Sequence, residues 1–294
     1  MLEAVPNVSE GRDASVVAAI GEAFGAEALL LDVHSDADHN RSVFTLAGDD
    51  RSLVEALLAG VARTVELVDL RVHEGVHPRV GAADVVPLVP LAPEEMPRAI
   101  AAAQRVARRI GDELGVPVFL YGETGGGRRP AFFRRGGLEE LRRRVEAGEL
   151  VPDAGPARID GRSGAVLVGA RAPLVAYNLE LSTRDVGMAR EIAAAVRGSS
   201  GGMPGVQAIG LLLASSDRAQ VSTNVIDLDL APLHEVVARV RAEAERRGVA
   251  VPSGELVGLV PESVVRAAEA AGAELPGIDE SQVLENVLRS RLAA

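Results

Sequence analysis

The side chains best suited to moving protons in this chain are its histidines, and four of the five lie in two short polar segments. His34 and His39 stand in Asp32-Val-His-Ser-Asp-Ala-Asp-His-Asn-Arg41, and His73 and His77 in His73-Glu-Gly-Val-His-Pro-Arg-Val-Gly81. Imidazole is the side chain whose ordinary pKa lets it exchange protons near neutrality. Each segment also carries acids and an arginine: Asp32, Asp36, Asp38 and Arg41 in the first, Glu74 and Arg79 in the second. Two chemistries fit such residue types, general acid–base catalysis and metal binding by Asp and His. The four-residue spacing of His73 and His77 would suit one face of a helix, but Gly75 and Pro78 oppose a helix there. His73-Glu-Gly-Val-His77 has the His-Glu-x-x-His spacing of helical zinc sites, but without a helix the two rings do not share one face. His77 is favoured as a functional histidine because Pro78 holds its backbone extended. Arg79 and Gly81 follow, a cation beside a permissive turn, as an anion-binding loop would need.

Absences narrow the chemistry further. Cysteine count is zero, which removes thiol nucleophiles, disulfides and thiolate metal sites. There is no lysine, so all 31 cationic residues are arginine and a Schiff-base mechanism is excluded. Gly122-Glu-Thr-Gly-Gly-Gly-Arg-Arg129 spaces two glycines like a phosphate-binding loop, yet Arg128 stands where lysine is required, and a flexible loop is expected instead. Among other polar residues, Asn178 sits inside an apolar strand pattern and needs partners, from ligand or protein. Gly161-Arg-Ser-Gly-Ala-Val-Leu-Val-Gly-Ala-Arg171 has small residues that would let a flat ligand or another backbone approach closely. His234, early in a helical pattern, reads as ordinary surface.

Two similar α/β blocks must position these residues. In the first, periodicity predicts strands over Leu2–Val8, Ala28–Val33, Ser42–Leu46 and Val116–Tyr121. Helices are expected over Asp13–Phe24, from an Asp50 cap through Val65, over Pro93–Leu114 and over Leu138–Ala147. Ser35–Arg41 reads as a polar turn, Val68–Val72 as a possible extension, and Gly125–Gly137 as loose chain. Val85–Leu91 carries prolines at 87 and 90 and is expected as an edge strand or extended segment. In the second block, strands are expected over Leu174–Leu181, Val206–Leu213, Ala219–Leu228 and Leu256–Val260. Helices fall over Thr183–Val196, capped by Ser182 or Thr183, and over Pro232–Arg247, with later helices at Pro261–Ala271 and Ser281–Leu292. From residue 174 the order is β-α-β-β-α-β, the ferredoxin-like arrangement, and the first block repeats it with extra elements. The expected fold is therefore α/β (α+β), two ferredoxin-like subdomains over residues 1–172 and 173–294 with a ligand cleft between them.

At 294 residues and 47% hydrophobic content the chain can bury a real core, but with 2% aromatic residues it cannot build an aromatic stacking platform. The formal charge of −11 argues against nucleic acid or an anionic membrane as partner. The first residues lack a secretory signal, and no apolar run approaches the roughly 20 residues that span a bilayer, so a cytoplasmic protein is expected.

Ordered motifs then carry a resemblance. Val5-Pro-Asn-Val-Ser-Glu-Gly11, Leu30-Leu-Asp-Val33 with Asn40-Arg41, His73-x-Gly-x-His-Pro-Arg79 and Gly81-Ala-x-Asp84 come first. Val116-Pro-Val-x-Leu-Tyr-Gly-Glu123, Gly164-Ala-x-x-x-Gly-Ala-Arg171, Gln220-Val-Ser-Thr-Asn224 and Glu255–Pro261 follow. Together they resemble the formimidoyltransferase family, across roughly residues 3–275. The resemblance implies transfer of a formimino group between N-formimino-L-glutamate and tetrahydrofolate, with folate as co-substrate, no metal, and a homodimer. It implies His77 as catalytic base. It places folate contacts on Arg162, Ser163, Gly164, Ala165, Val166, Leu167, Val168, Gly169, Ala170 and Arg171, with Asn178 beside them. Candidate substrate contacts are Asn7, His34, Asn40, Arg41, Arg79, Asp84 and Asn224, and Arg41, Arg79 and Arg171 are candidate carboxylate clamps. The family's vertebrate members carry Asp where this chain has His34. The residues themselves leave three alternatives open: a noncatalytic folate-binding relative, action on 5-formyltetrahydrofolate, and a metal-dependent hydrolase built on Asp32, His34, Asp36 and His39.

Overall fold

The structure, a computed structural model, describes residues 1–293. The chain divides into two compact units, Met1–Ala172 and Pro173–Ala294.

The first unit opens with a strand interrupted at Val5-Pro6, giving β1 (Leu2–Ala4) and β2 (Asn7–Val8). Helix α1 (Ala14–Gly25) follows, then β3 (Leu29–Asp36), β4 (Arg41–Gly48), α2 (Asp50–Leu67) and β5 (Ala83–Pro90). Taking β1 and β2 as one strand, β3, β4, β1/β2 and β5 lie side by side with antiparallel neighbours, the ferredoxin-like order. Helix α3 (Met96–Leu114), β6 (Val118–Gly122), the short α4 (Pro130–Arg134), α5 (Gly137–Glu146) and β7 (Val166–Ala170) extend it. Here β7 runs parallel between β5 and β6, completing a sheet of seven strands when β1 and β2 are counted separately.

Both faces of this sheet are covered, by different helices. Ile20, Phe24, Leu53, Leu57, Val61 and Ile110 from α1, α2 and α3 pack on Phe44, Leu46, Val86 and Val168. On the other face Phe133 and Leu141, from α4 and α5, pack on Val85, Phe119, Tyr121 and Leu167. Fully burying each such side chain contributes about 1.5–3 kcal/mol.

The second unit comprises β8 (Val175–Glu180), α6 (Val186–Val196), β9 (Val206–Leu213), β10 (Arg218–Val225), α7 (Leu233–Glu245), β11 (Ser253–Val257), α8 (Glu262–Ala270) and α9 (Leu284–Ala293). Its sheet order β11-β8-β10-β9, all antiparallel, is again ferredoxin-like, around a core of Tyr177, Leu179, Ile192, Val196, Val221 and Val240.

Several local expectations are corrected. β5 is an interior strand, buried along its whole length, despite two prolines. Pro87, with no N–H to give, faces the break at Val5-Pro6, and its carbonyl still accepts from Val5 N at 3.1 Å. Asp49, not Asp50, caps α2, taking the N–H groups of Arg51 and Ser52, while Asp50 reaches across to Arg98 at 2.6 Å. Asp185, not Ser182 or Thr183, caps α6, and Pro232 is the cap residue of α7 rather than part of its first turn. The expected turn at Ser35 is still strand, since β3 runs to Asp36, whereas Val68–Val72 lies outside any strand. The glycine-rich segment is a closed turn in which Gly122 N donates to Arg128 O and Gly127 N to Gly122 O, and it delivers the chain into α4.

Candidate functional site

A bulge in β5 sets the floor of the site. Asn7 pairs with Val85 and Val8 with Ala83, so Asp84 is the extra residue between them, and such a bulge re-aims a side chain. The Asp84 carboxylate is fully buried. One oxygen accepts the Val80 N–H at 2.8 Å; the other accepts Arg41 Nη1 at 2.8 Å and also Arg134 Nη2. Burial works to raise its pKa, but Arg134 and Arg41 together hold it well below the usual carboxylate range. Arg41 also donates through Nε to Asn7 Oδ1 at 3.0 Å, and burial pushes its own pKa down to about 10. Asn7 is thereby a strut for Arg41, tied by its amide to Val5 O at 2.8 Å. Arg134 arrives from α4, which is anchored by the fully buried Phe133 against Phe119, with ring centres 5.3 Å apart. Its Nε is buried and lacks a partner among the described residues.

Above this floor the loop 73–79 is stitched to the β3–β4 hairpin. Asn40 adopts a left-handed backbone (φ 45°), which asparagine tolerates better than most residues. Its side chain accepts from Gly11 N at 2.9 Å and donates to Glu74 O at 2.8 Å, and Val76 N donates to Asp38 O at 3.2 Å. Gly75 is required here, because a Cβ would overlap the His39 carbonyl. His73 is committed to the same seam. Its Nε2 lies 3.1 Å from Asn40 O, which can only accept, and its Nδ1 meets Arg79 Nη1, which can only donate. His73 is therefore the neutral Nε2–H tautomer, and burial, then Arg79, lower its pKa. Arg79 also donates to His77 O at 2.7 Å, so its guanidinium is a brace inside the loop.

His77 is left half-buried, with an Nδ1 that has no partner among the described residues. Its pKa lies well below 6.5, chiefly through burial, then through the positive charges of Arg41 and Arg134. It does not pair with His73. Its ring neighbour is His39, edge-on with ring centres 6.0 Å apart. This arrangement can take up and release a proton beside two buried guanidiniums.

The remaining predicted residues are more scattered. Asp32, His34 and Asp36 alternate along one face of β3, with about 6.6 Å of strand rise between successive members, and burial raises the Asp32 pKa. Asp36 is bonded to His39. Among the described residues no group of three His, Cys, Asp or Glu side chains converges as a metal site. Of the segment 162–171, Arg162 is exposed in the turn before β7, donating to Glu66 O at 2.6 Å. Arg171 is half-exposed directly after β7, donating to Ala172 O at 3.0 Å. Between them Ser163, Gly164 and Ala165 are buried against Val80 and Gly81. Val166, Leu167, Val168 and Ala170 are buried in the sheet, and Gly169 leaves space for the Tyr121 ring. In the second unit, Asn178 is buried on β8 with its amide 3.4 Å from Glu255 Oε2, and the half-buried Asn224 on β10 lies opposite Ala176 and Gln207. Arg134 and Tyr121 entered no sequence expectation as site residues, and His39 entered only as a candidate of the metal alternative. Arg134 is one arginine in a run without motif, and only the packing of Phe133 picks it out. Tyr121, its pKa raised by burial, lies within the electrostatic reach of both Arg171 and Arg134.

Comparison with known proteins gives a consistent result. Residues 1–171 match the family described as formiminotransferase domain, N-terminal subdomain, and residues 176–283 match formiminotransferase domain. A glutamate formimidoyltransferase of Thermoplasma acidophilum is 37% identical, covering 97% of this chain and 96% of the relative. One from Streptococcus pyogenes is also 37% identical, covering 98% of each. The formimidoyltransferase-cyclodeaminase of Gallus gallus is 39% identical over 90% of this chain, which matches 51% of that larger protein.

Proposed function

This chain belongs to the formiminotransferase family, and from that membership we infer that it is a glutamate formimidoyltransferase. It moves a formimino group between N-formimino-L-glutamate and tetrahydrofolate, giving L-glutamate and 5-formimidoyltetrahydrofolate. A folate is thus the co-substrate.

We assign the general base to His77. In the transfer, N5 of the pterin attacks the amidine carbon, the C=N electron pair moves onto the imino nitrogen, and a tetrahedral carbon forms. One proton leaves N5 and one reaches the glutamate nitrogen. The C–N bond to glutamate then breaks as the imino nitrogen lone pair re-forms the double bond. The observation that carries the assignment is a neutral, half-buried imidazole with an unpartnered ring nitrogen, beside the Arg41–Asp84–Arg134 cluster. Such a base is typically worth 10²–10⁴-fold. Arg79 is committed to the loop, so carboxylate recognition falls to Arg134, which keeps an unpartnered Nε, with Arg41 behind it. Folate contacts from the 162–171 segment are assigned to its accessible ends, Arg162 and Arg171. His34 is assigned to the rim of the site on β3. A cytoplasmic homodimer completes this reading. No described helix is long and apolar enough to cross a membrane, and light scattering on purified protein checks for twice 30.6 kDa.

The test incubates wild type and His77→Ala with tetrahydrofolate and N-formiminoglutamate and follows the folate product. Wild type is expected to turn over, and the variant to lose at least 10²-fold in kcat while retaining folate binding. An inactive wild type would overturn the enzyme reading. A fully active variant would overturn the base.

A further inference from the structure

His39 is a buried titratable group that the mechanism above leaves without a role. Its backbone N–H donates to Asp36 Oδ1 at 2.8 Å, and its ring Nδ1 lies 2.7 Å from Asp36 Oδ2. A carboxylate accepts, so Nδ1 carries the hydrogen and Nε2 faces away from the pair. That Nε2 is buried and has no partner among the described residues, in a residue only 7% exposed. A buried polar atom without a partner costs about 1–3 kcal/mol and calls for an explanation. The ring is edge-on to His77, whose Nδ1 is likewise buried without a partner, with 6.0 Å between centres. Rings so spaced can each place a nitrogen about 3 Å from a group lying between them.

We propose that His39, backed by Asp36, is a second proton carrier of the transfer reaction, acting on the nitrogen opposite the one served by His77. The proposal rests on the formimidoyltransferase reading. That reaction needs two proton movements at one carbon. His77 removes the proton from N5 as the new C–N bond forms. His39, as imidazolium with Asp36 as counter-ion, delivers the Nε2 proton to the glutamate nitrogen as the old C–N bond breaks. His77 then holds one proton more and His39 one fewer. Transfer between them through the intervening group, or exchange with solvent, restores the starting state, so protons and charge balance.

The two environments suit these different tasks. His77 faces the cations Arg41 and Arg134, which disfavour a held proton. His39 has a carboxylate as its direct partner, the arrangement of other histidine–carboxylate pairs. Of His39, Arg79 touches the carbonyl and not the ring, at 3.5 Å. The loop that carries His77 and the hairpin that carries His39 are the two segments joined by Asn40 and Gly75, so that seam fixes the separation of the rings.

The test compares wild type with H39N and H39Q in the formiminoglutamate assay, with folding checked by circular dichroism. Asparagine can keep the hydrogen bond to Asp36, glutamine can reach the position of Nε2, and neither amide exchanges a proton near neutral pH. Expected is a kcat loss of about 10²-fold for both, KM for each substrate within threefold, and loss of one limb of the pH–kcat profile. D36N, which keeps the ring but removes its counter-ion, should give an intermediate loss. A kcat within threefold of wild type, a raised KM with kcat preserved, or failure of both His39 variants to fold would each overturn the proposal. An inactive wild type would instead overturn the functional reading on which it rests.

Discussion

Replacing Asp84 with asparagine isolates the charge on which the site floor is built. The two side chains are nearly the same size, and the substituted amide could still accept the Val80 N–H that Asp84 Oδ1 takes at 2.8 Å. No cavity opens, and the turn at Val80 keeps its bond. What disappears is the negative charge that both Arg41 and Arg134 contact, at a site with no solvent exposure. Removing one member of a buried ion pair costs about 3–5 kcal/mol, because the remaining charge is left desolvated. Here two guanidiniums are left, and the new amide would point N–H donors at N–H donors, so the upper half of that range is expected. For a unit of 172 residues, roughly 2–4 °C per kcal/mol translates this into a melting shift of about 8–20 °C. Urea unfolding followed by circular dichroism reads the free energy, and the slope with denaturant should stay constant if only stability changes. A triple variant with apolar residues at 41, 84 and 134 should recover much of the loss, since a well-packed apolar cluster can replace a buried ionic one. A D84N protein within 1 kcal/mol of wild type would refute the reasoning, showing that water reaches the cluster.

The sign of the His77 shift gives a pH prediction. Its folded pKa is lowered well below 6.5, so the base stays neutral and competent as pH falls through 6.5, and the acid limb of kcat/KM should lie well under that value. Because the unfolded chain binds this proton more readily, stability should also decline as pH falls below 6.5, until the folded pKa is reached. Arg134→Gln takes the Arg41–Asp84–Arg134 cluster from a formal +1 to 0 and should move the acid limb to higher pH; an unmoved limb would remove Arg134 from the electrostatics of the site. Gly60→Ala tests the packing that supports the floor from the other side of the sheet. Its Cβ would enter the buried Phe24 ring, which itself rests on Phe44 with centres 5.1 Å apart. A helix-propensity gain of up to about 1 kcal/mol should lose to an overpacking cost of about 1–3 kcal/mol, so net destabilisation is expected in the same urea assay.

Much of the fold was legible in the residues, for local reasons. Helix and strand periodicities in the second unit point to β-α-β-β-α-β, and its sheet order β11-β8-β10-β9 is the one such a chain adopts. In the first unit, Pro87 and Pro90 point to an edge because a lone strand rule cannot see its neighbours. The break at Val5-Pro6, placed opposite, is what makes an interior position tolerable. The caps at Asp49 and Asp185 lie one to three positions from the expected residues, since several acids and hydroxyls there compete for the same amides.

The site divides in the same way. The residue types and the Gly75 and Pro78 breaks are enough to set aside a helical His73–His77 pair, and the ordered motifs draw attention to His77. Motif order also singles out Asn40, Arg41, Arg79 and Asp84, but as candidate substrate contacts. Only the tertiary structure gives them separate tasks. A bulge buries Asp84, which draws in Arg41 and, from 50 residues downstream, Arg134. Asn40, His73 and Arg79 form the seam, and His39 is brought beside His77. Residue identity determines what chemistry a side chain can perform. Which proton it carries, and whether its charge is free or already paired, depends on desolvation and on partners distant in sequence, and those exist only once the sheet and its loops have packed.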